Sequence, residues 1–291
     1  MRKRTVILMP KYAIAWDIGH CGNDSGASGN GLVEKDRNIK DVNYTMALLA
    51  LRGINQHLVH TPDENPSLQE RAFRARDWGA DLLISVHHNA GGGVGYDIIK
   101  SVKGILDDQF SDLLATEFKA AGQKAHGGVG IYEKRLDTGG DYYGILRYAA
   151  SVGLPSVIGE FAFLDSADSQ MIDSDYKLQI EAEAYSKAIC KLCGVAWDLN
   201  ECFANALAEK KWSNSPTYWT KVFNGEEIFN LSNFIKLLSN ITGGNDVISI
   251  VSVLMANKWC SSPDYWISVL QGKQTPNMAY VIKLLSNTVG M

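Results

Sequence analysis

The sequence predicts an α/β domain, a mostly parallel sheet flanked by helices, followed by a small all-α domain of two three-helix repeats. Three observations carry this. Short apolar, β-branched-rich runs alternate with helical patterns over the first two thirds of the chain, the mark of strand–helix–strand units. The composition shifts near residue 196: 22 of the 27 Gly precede it, all six His lie before residue 127, and five of the seven Trp follow it. The last 95 residues contain an internal repeat with an offset of 47, and a period of that size makes each copy one supersecondary unit.

In chain order, the basic start MRKRTVILMP reads as a lead into a strand. Its apolar run is too short for a signal-peptide core and no small-residue cleavage site follows. The strand runs are YAIAWDIGH, GINQHLVHT, ADLLISVHH and LPSVIGEFA, separated by helical patterns such as DVNYTMALLALRG, SLQERAFRARDWG and FSDLLATEFKAAG. In the tail, KWSNSPTYWTKVFNG (211–225) aligns with KWCSSPDYWISVLQG (258–272), and IKLLSN recurs at 235–240 and 282–287. NECFANALAEKKW and DVISIVSVLMANKW carry apolar residues at helical spacing. Ser215-Pro216 and Ser262-Pro263 read as an N-cap followed by proline at the first helical position, and NLSNFIKLLSN as a further amphipathic helix. The domain boundaries follow as 1–195, 196–243 and 244–291.

The charge excludes some classes of partner. A net charge of −4 and a pI near 5.9 speak against binding nucleic acid or anionic membranes. The −4 belongs to residues 1–196, since the tail carries seven charges of each sign. No apolar run approaches the roughly 18 to 20 residues that span a bilayer. Five dispersed Cys make no disulfide framework, and Cys190-x-x-Cys193 lacks the second pair of a zinc knuckle. His57 and His60 read as structural, His126 as part of a surface loop, and the GGGVG stretch at 91–95 as a turn after a strand.

Three strand runs end in chemically capable residues. The first ends at His20, the third in Ser85-Val86-His87-His88-Asn89, and the last at Glu160. Glu34 follows His20 by fourteen residues, across a Gly-rich loop and at the start of a helix. Two His and one carboxylate with an open fourth position make a catalytic zinc set, and a further glutamate is a candidate general base. In a mostly parallel sheet such groups belong at the carboxyl ends of the strands.

WDIGHCGNDSGASGNGLVEKDRN resembles the opening signature of the zinc-dependent N-acetylmuramoyl-L-alanine amidases of the Amidase_3 type. ADLLISVHHNA and LPSVIGEFAFLDSADSQ resemble that family's two later motifs, in the same order, so the likeness covers roughly residues 12–195. The resemblance implies that His20, Glu34 and His87 bind Zn2+ and that Glu160 is the catalytic carboxylate. It selects His87 over His88, and strand alternation agrees that only one of them faces the site. Asn89 would orient a ligand or line the cleft. The chain departs from the pattern at Cys21, at Thr61-Pro62-Asp63-Glu64, where an arginine contact is missing, and at Ala162. None of these removes a ligand or the base, and Cys21 reads as a bystander packed in the loop.

The expected function is therefore hydrolysis of peptidoglycan at the amide between N-acetylmuramic acid and L-alanine by zinc-activated water. A zinc peptidase of the stem peptides and a non-catalytic wall-binding protein are the competing readings. An enzyme followed by a duplicated, Trp-rich tail has the layout of phage endolysins and bacterial autolysins. With no signal peptide read at the start, the expectation is an endolysin held in the host cytoplasm until holin-dependent release. The two repeats would bind the cell wall.

Overall fold

Burial on both faces decides where the sheet lies. In a computed structural model, which describes residues 12–50, 52–198, 207–208, 210–224 and 226–289, the run IAWDI forms β1 (Ile14–Ile18) with every residue buried. Such a strand needs helices on both sides. After a small antiparallel pair, β2 (Ser28–Gly29) and β3 (Leu32–Val33), come α1 (Glu34–Ala50), β4 (Gln56–Leu58), α2 (Leu68–Trp78) and β5 (Leu82–Asn89). Then follow β6 (Asp97–Lys100), α3 (Leu106–Ala120), β7 (Ile131–Tyr132), α4 (Gly144–Ser151), β8 (Ser156–Phe163) and α5 (Asp175–Cys193). The basic start of the chain, residues 1–11, lies outside the described residues.

The sheet order is β4-β1-β5-β8-β6-β7. β4, β1, β5 and β8 run parallel, whereas β6 is antiparallel to β8 and β7 is parallel to β6. The mostly parallel sheet is thus present, with one reversal. Its cause is the GGGVG loop: residues 90–96 are too few for a crossover, so the chain turns straight back. α2 and α4 cover one face, where Ala72, Ala75, Leu146 and Ala149 pack on Ala15, Leu83, Ile99 and Ile158. α1, α3 and α5 form the other helical layer. There the Tyr185 ring meets Trp16 and Phe118 edge-on at centroid distances of 6.2 and 5.2 Å.

The chain divides into two compact units, Leu8–Val195 and a second beginning at Ala196. The second contains α6 (Pro216–Phe223), α7 (Leu231–Thr242), α8 (Val247–Ala256), α9 (Pro263–Leu270) and α10 (Met278–Val289). Most of the helix expected over NECFANALAEKKW, with Cys202, lies outside the described residues. Proline does open α6 and α9, but neither Ser215 nor Ser262 makes a side-chain cap bond. Asn230 and Asp246 do cap their helices, Asp246 through a reciprocal bond with Ser249.

In the small all-α domain expected here, both copies of the repeat contribute to one hydrophobic core, with Trp219, Phe234 and Leu238 from the first and Ile250, Trp266 and Leu285 from the second. The helices are only 8 to 12 residues long, and repeats this short bury their apolar faces on each other. Among the described residues no single helix is long and apolar enough to cross a membrane.

Candidate metal centre

The sheet register builds the site. β1 and β5 are neighbours, with Ile18 opposite Val86, so the residues just past β1 meet the end of β5. On the other side of β5, His87 lies opposite Glu160 of β8. Asp97 of β6 lies opposite Glu160 in turn. His20 sits two residues beyond β1 with φ +59, a left-handed conformation that is uncommon for a residue with a side chain. Glu34 is the first residue of α1.

These elements bring His20, Glu34 and His87 together, with one donor atom of each within 4.8 Å of the others. His87 Nδ1 lies 2.9 Å from Glu34 Oε1, and His20 Nε2 lies 3.3 Å from Glu34 Oε2. The two imidazoles meet edge-to-face with centroids 5.0 Å apart. Backbone N–H of Ala27 donates to Glu34 Oε2 at 2.9 Å and fixes that carboxylate. On the far side of the His20 ring, Nδ1 pairs with Asp24 at 2.9 Å, the outer carboxylate that commonly orients a ligating histidine.

Two glycines make room for this cluster. A Cβ on Gly19 would stand 2.4 Å from the His87 ring, and one on Gly26 would stand 2.6 Å from Glu34 Oε2 and 2.7 Å from His20. The donor chemistry, the outer carboxylate and these glycines all fit a zinc-type ion.

The electrostatics separate the two glutamates. Burial pushes the Glu34 carboxyl up, but hydrogen bonds to His20 and His87 override it and hold the group well below the usual range. Its bond to Glu34 is the main force raising His20 to about 9. Glu160 behaves in the opposite way: burial first, then the carboxylates of Glu34 and Asp97, raise it to about 7, against the pull of His87. A glutamate held near neutrality is suited to taking up and releasing a proton at working pH.

The cluster and Glu160 open into one cleft of about 780 Å3, which Asn89, Arg71, Leu68 and Tyr143 also line. Asn89 donates to Asp97 at 2.9 Å. Arg71 was not foreseen. The loop Thr61–Glu64 lacks an arginine, yet α2 supplies one, which bonds Asp17 at 2.9 Å, Ile18 O at 3.0 Å and Asn65 at 2.9 Å. Asp17 also accepts from Ser85 Oγ at 2.6 Å and pairs with His60 at 3.0 Å, so His60 is a buried structural partner. His57 stacks on Trp78.

Behind the cluster lies a second group that sequence reasoning missed. His88 is fully buried and bonded to Asn38 at 2.7 Å and Glu181 at 3.0 Å. Burial lowers His88 to about 4 and raises Glu181 and Asp41 well above the carboxylate range. Asn38 passes the connection back by donating to Gly19 O at 2.7 Å. The alternation of His87 and His88 across β5 was the only signal for it. Cys21 is buried, donates weakly to Ile18 O and lies outside the donor cluster. His126 pairs with Asp97 at 2.9 Å and is not part of the cleft lining.

A mostly parallel α/β sheet whose strand ends gather two imidazoles and a carboxylate beside a near-neutral glutamate has the make-up of a metal-assisted hydrolase. The chain belongs to the Amidase_3 family, described as N-acetylmuramoyl-L-alanine amidase, whose profile matches residues 14–191. It is 29% identical over 179 residues to the N-acetylmuramoyl-L-alanine amidase CwlM of Bacillus licheniformis, covering 60% of this chain and 66% of that protein. It is 31% identical over 190 residues to the endolysin of Bacillus phage SPP1, covering 62% and 65%. The chain therefore spans just under two thirds of the length of these curated relatives. In fold it resembles the crystal structure of the N-acetylmuramyl-L-alanine amidase Ami1 from Mycobacterium smegmatis, with a TM-score of 0.56 and 19% identity over 65% of this chain and 99% of that one.

Proposed function

We propose that the protein is a zinc-dependent N-acetylmuramoyl-L-alanine amidase of peptidoglycan. The observation that carries this reading is the convergence of His20, Glu34 and His87 within 4.8 Å, with Glu160 opposite His87 in the sheet. His20, Glu34 and His87 would hold the ion, which when bound supplies Lewis acidity toward water and the scissile carbonyl.

The chain's own residues do the rest. Glu160 takes a proton from the attacking water as its oxygen adds to the lactyl carbonyl carbon. As the C–N bond breaks, the same carboxyl returns that proton to the leaving nitrogen of L-alanine. The products are a lactyl carboxylate on the glycan and a free amine on the stem peptide. Asp97 and the burial of Glu160 keep its carboxyl near neutrality, where both transfers are easy. Leu68 and Tyr143 offer apolar surface to a substrate in the same cleft.

The duplicated tail is read as a wall-binding module, supported by its aromatic content and by the likeness of the chain to a phage endolysin. A lysis enzyme of this kind waits in the host cytoplasm and acts at the cell wall. Metal analysis tests the centre: one zinc per chain is expected, with Glu34→Ala and His87→Ala losing both metal and turnover. A fully active His87→Ala variant would overturn the assignment.

A further inference from the structure

The tail contains two pockets, of about 430 and 400 Å3, within the size range of small-ligand sites. They are one site used twice. All ten positions that line the second recur, 47 residues earlier, in the lining of the first. Seven of those ten pairs are identical, against ten of the other 37 pairs between 197–243 and 244–290. Some identities serve the core, as at Trp219 and Trp266, which are buried. Core packing does not explain exposed Lys211 and Lys258, or Asn240 and Asn287.

Each site has the same build. Asn240 Nδ2 donates to Trp212 O at 2.7 Å, and Asn287 Nδ2 to Trp259 O at 2.9 Å, pinning the loop that carries the tryptophan. The partly buried Trp and Tyr rings leave apolar faces in the pocket. Lys211 and Lys236 enter the first lining and Lys258 the second, and no carboxylate enters either, although the tail as a whole is neutral. Lys211 and Lys258 both hold a positive φ, +59 and +58, where glycine would be cheaper. The duplicated unit has kept a lysine at a position whose backbone disfavours it.

We propose that these are paired binding sites for a pyranose that carries a carboxylate, namely the N-acetylmuramic acid unit of the glycan with its lactyl group free. This rests on the wall-amidase reading, because hydrolysis by the front domain leaves that carboxylate behind. Aromatic faces take the apolar face of the ring, and Lys211 or Lys258 pairs with the carboxylate. Two weak sites on one chain then hold it to a polymer that repeats the same unit.

The test is isothermal titration of the full chain as Glu160→Gln with N-acetylmuramic acid and, as the uncharged control, N-acetylglucosamine. Two sites per chain are expected, with the control about tenfold weaker. Lys211→Gly and Lys258→Gly should each weaken one site about tenfold, and the double variant both, to the level of the uncharged sugar. Both changes relieve a positive φ, so the melting temperature should hold or rise, and weaker binding would not mean lost fold. Equal affinity for the two sugars, no binding, or unchanged binding in the double variant would overturn the proposal. Sedimentation of the Glu160→Gln chain with sacculi first partly digested by the active chain, so that free lactyl carboxylates are present, tests wall binding separately. If it sediments and the double variant sediments equally, the pockets are wrong while wall binding stands. If sacculi stripped of phosphate-linked polymers lose it, the ligand is a phosphate polymer and the muramic acid assignment fails.

Discussion

Replacing Glu160 by glutamine keeps the size of the side chain and removes its ability to exchange a proton. The wild-type carboxyl stands at about 7 because it is buried and faces the carboxylates of Glu34 and Asp97. It serves as base only when ionised, so activity should fall as pH drops through its pKa. Below that midpoint the ionised fraction falls about tenfold per pH unit. A dication held by the three ligands draws the same carboxyl down, which puts the midpoint at or below about 7. Asp97→Asn removes one of the groups that raise it and should move the acid limb to still lower pH. Glu160→Gln should cost about a hundred- to ten-thousandfold in kcat while metal content stays at the wild-type level. The assay is release of soluble amines from purified peptidoglycan between pH 4 and 9, with metal content measured on each variant. Activity of Glu160→Gln within tenfold of wild type, or an acid limb that Asp97→Asn leaves in place, would refute the role.

Three further outcomes follow from the packing. Gly26→Ala should lose most metal and activity, because the new Cβ would stand 2.6 Å from Glu34 Oε2 at a φ of +65; full zinc content in that variant would show that the loop yields. Asp17→Asn strips the charge that Arg71 and His60 share, and breaking a buried pair costs about 3 to 5 kcal/mol; a change below about 1 kcal/mol in chemical denaturation would contradict it. Glu181 has a raised folded pKa from burial, so its contribution is fully present below the unfolded value near 4.5 and is lost as pH rises toward the folded one. Glu181→Gln should therefore flatten the pH dependence, gaining melting temperature relative to wild type at pH 8 more than at pH 5, and the reverse order would contradict the assignment.

The strand–helix alternation was legible because it lies in short local patterns, whereas the strand expected to end at Glu160 runs on to Phe163. The pairing of His87 with Glu160 needed the sheet order as well, since 73 residues separate them in the chain. Arg71 was illegible for a related reason. It reaches Asp17 across 54 residues from a helix whose sequence reads as an ordinary amphipathic one. The His88–Glu181 contact spans 93 residues and joins a strand to the last helix of the sheet domain. In the tail, the repeat showed that one unit occurs twice, but not that Phe234 and Trp266 meet in a shared core at 6.1 Å. Short helices carry no sign in sequence of which neighbour will cover them.

The reaction proposed for this site is hydrolysis of the bond between muramic acid and L-alanine. Digestion of purified peptidoglycan with the zinc-loaded chain, followed by analysis of the new ends, tests it most directly. New N-terminal alanine amines are expected, matched by free muramic lactyl carboxylates and without new reducing sugars. Reducing ends, amino termini at other stem-peptide residues, or no new ends at all would contradict it.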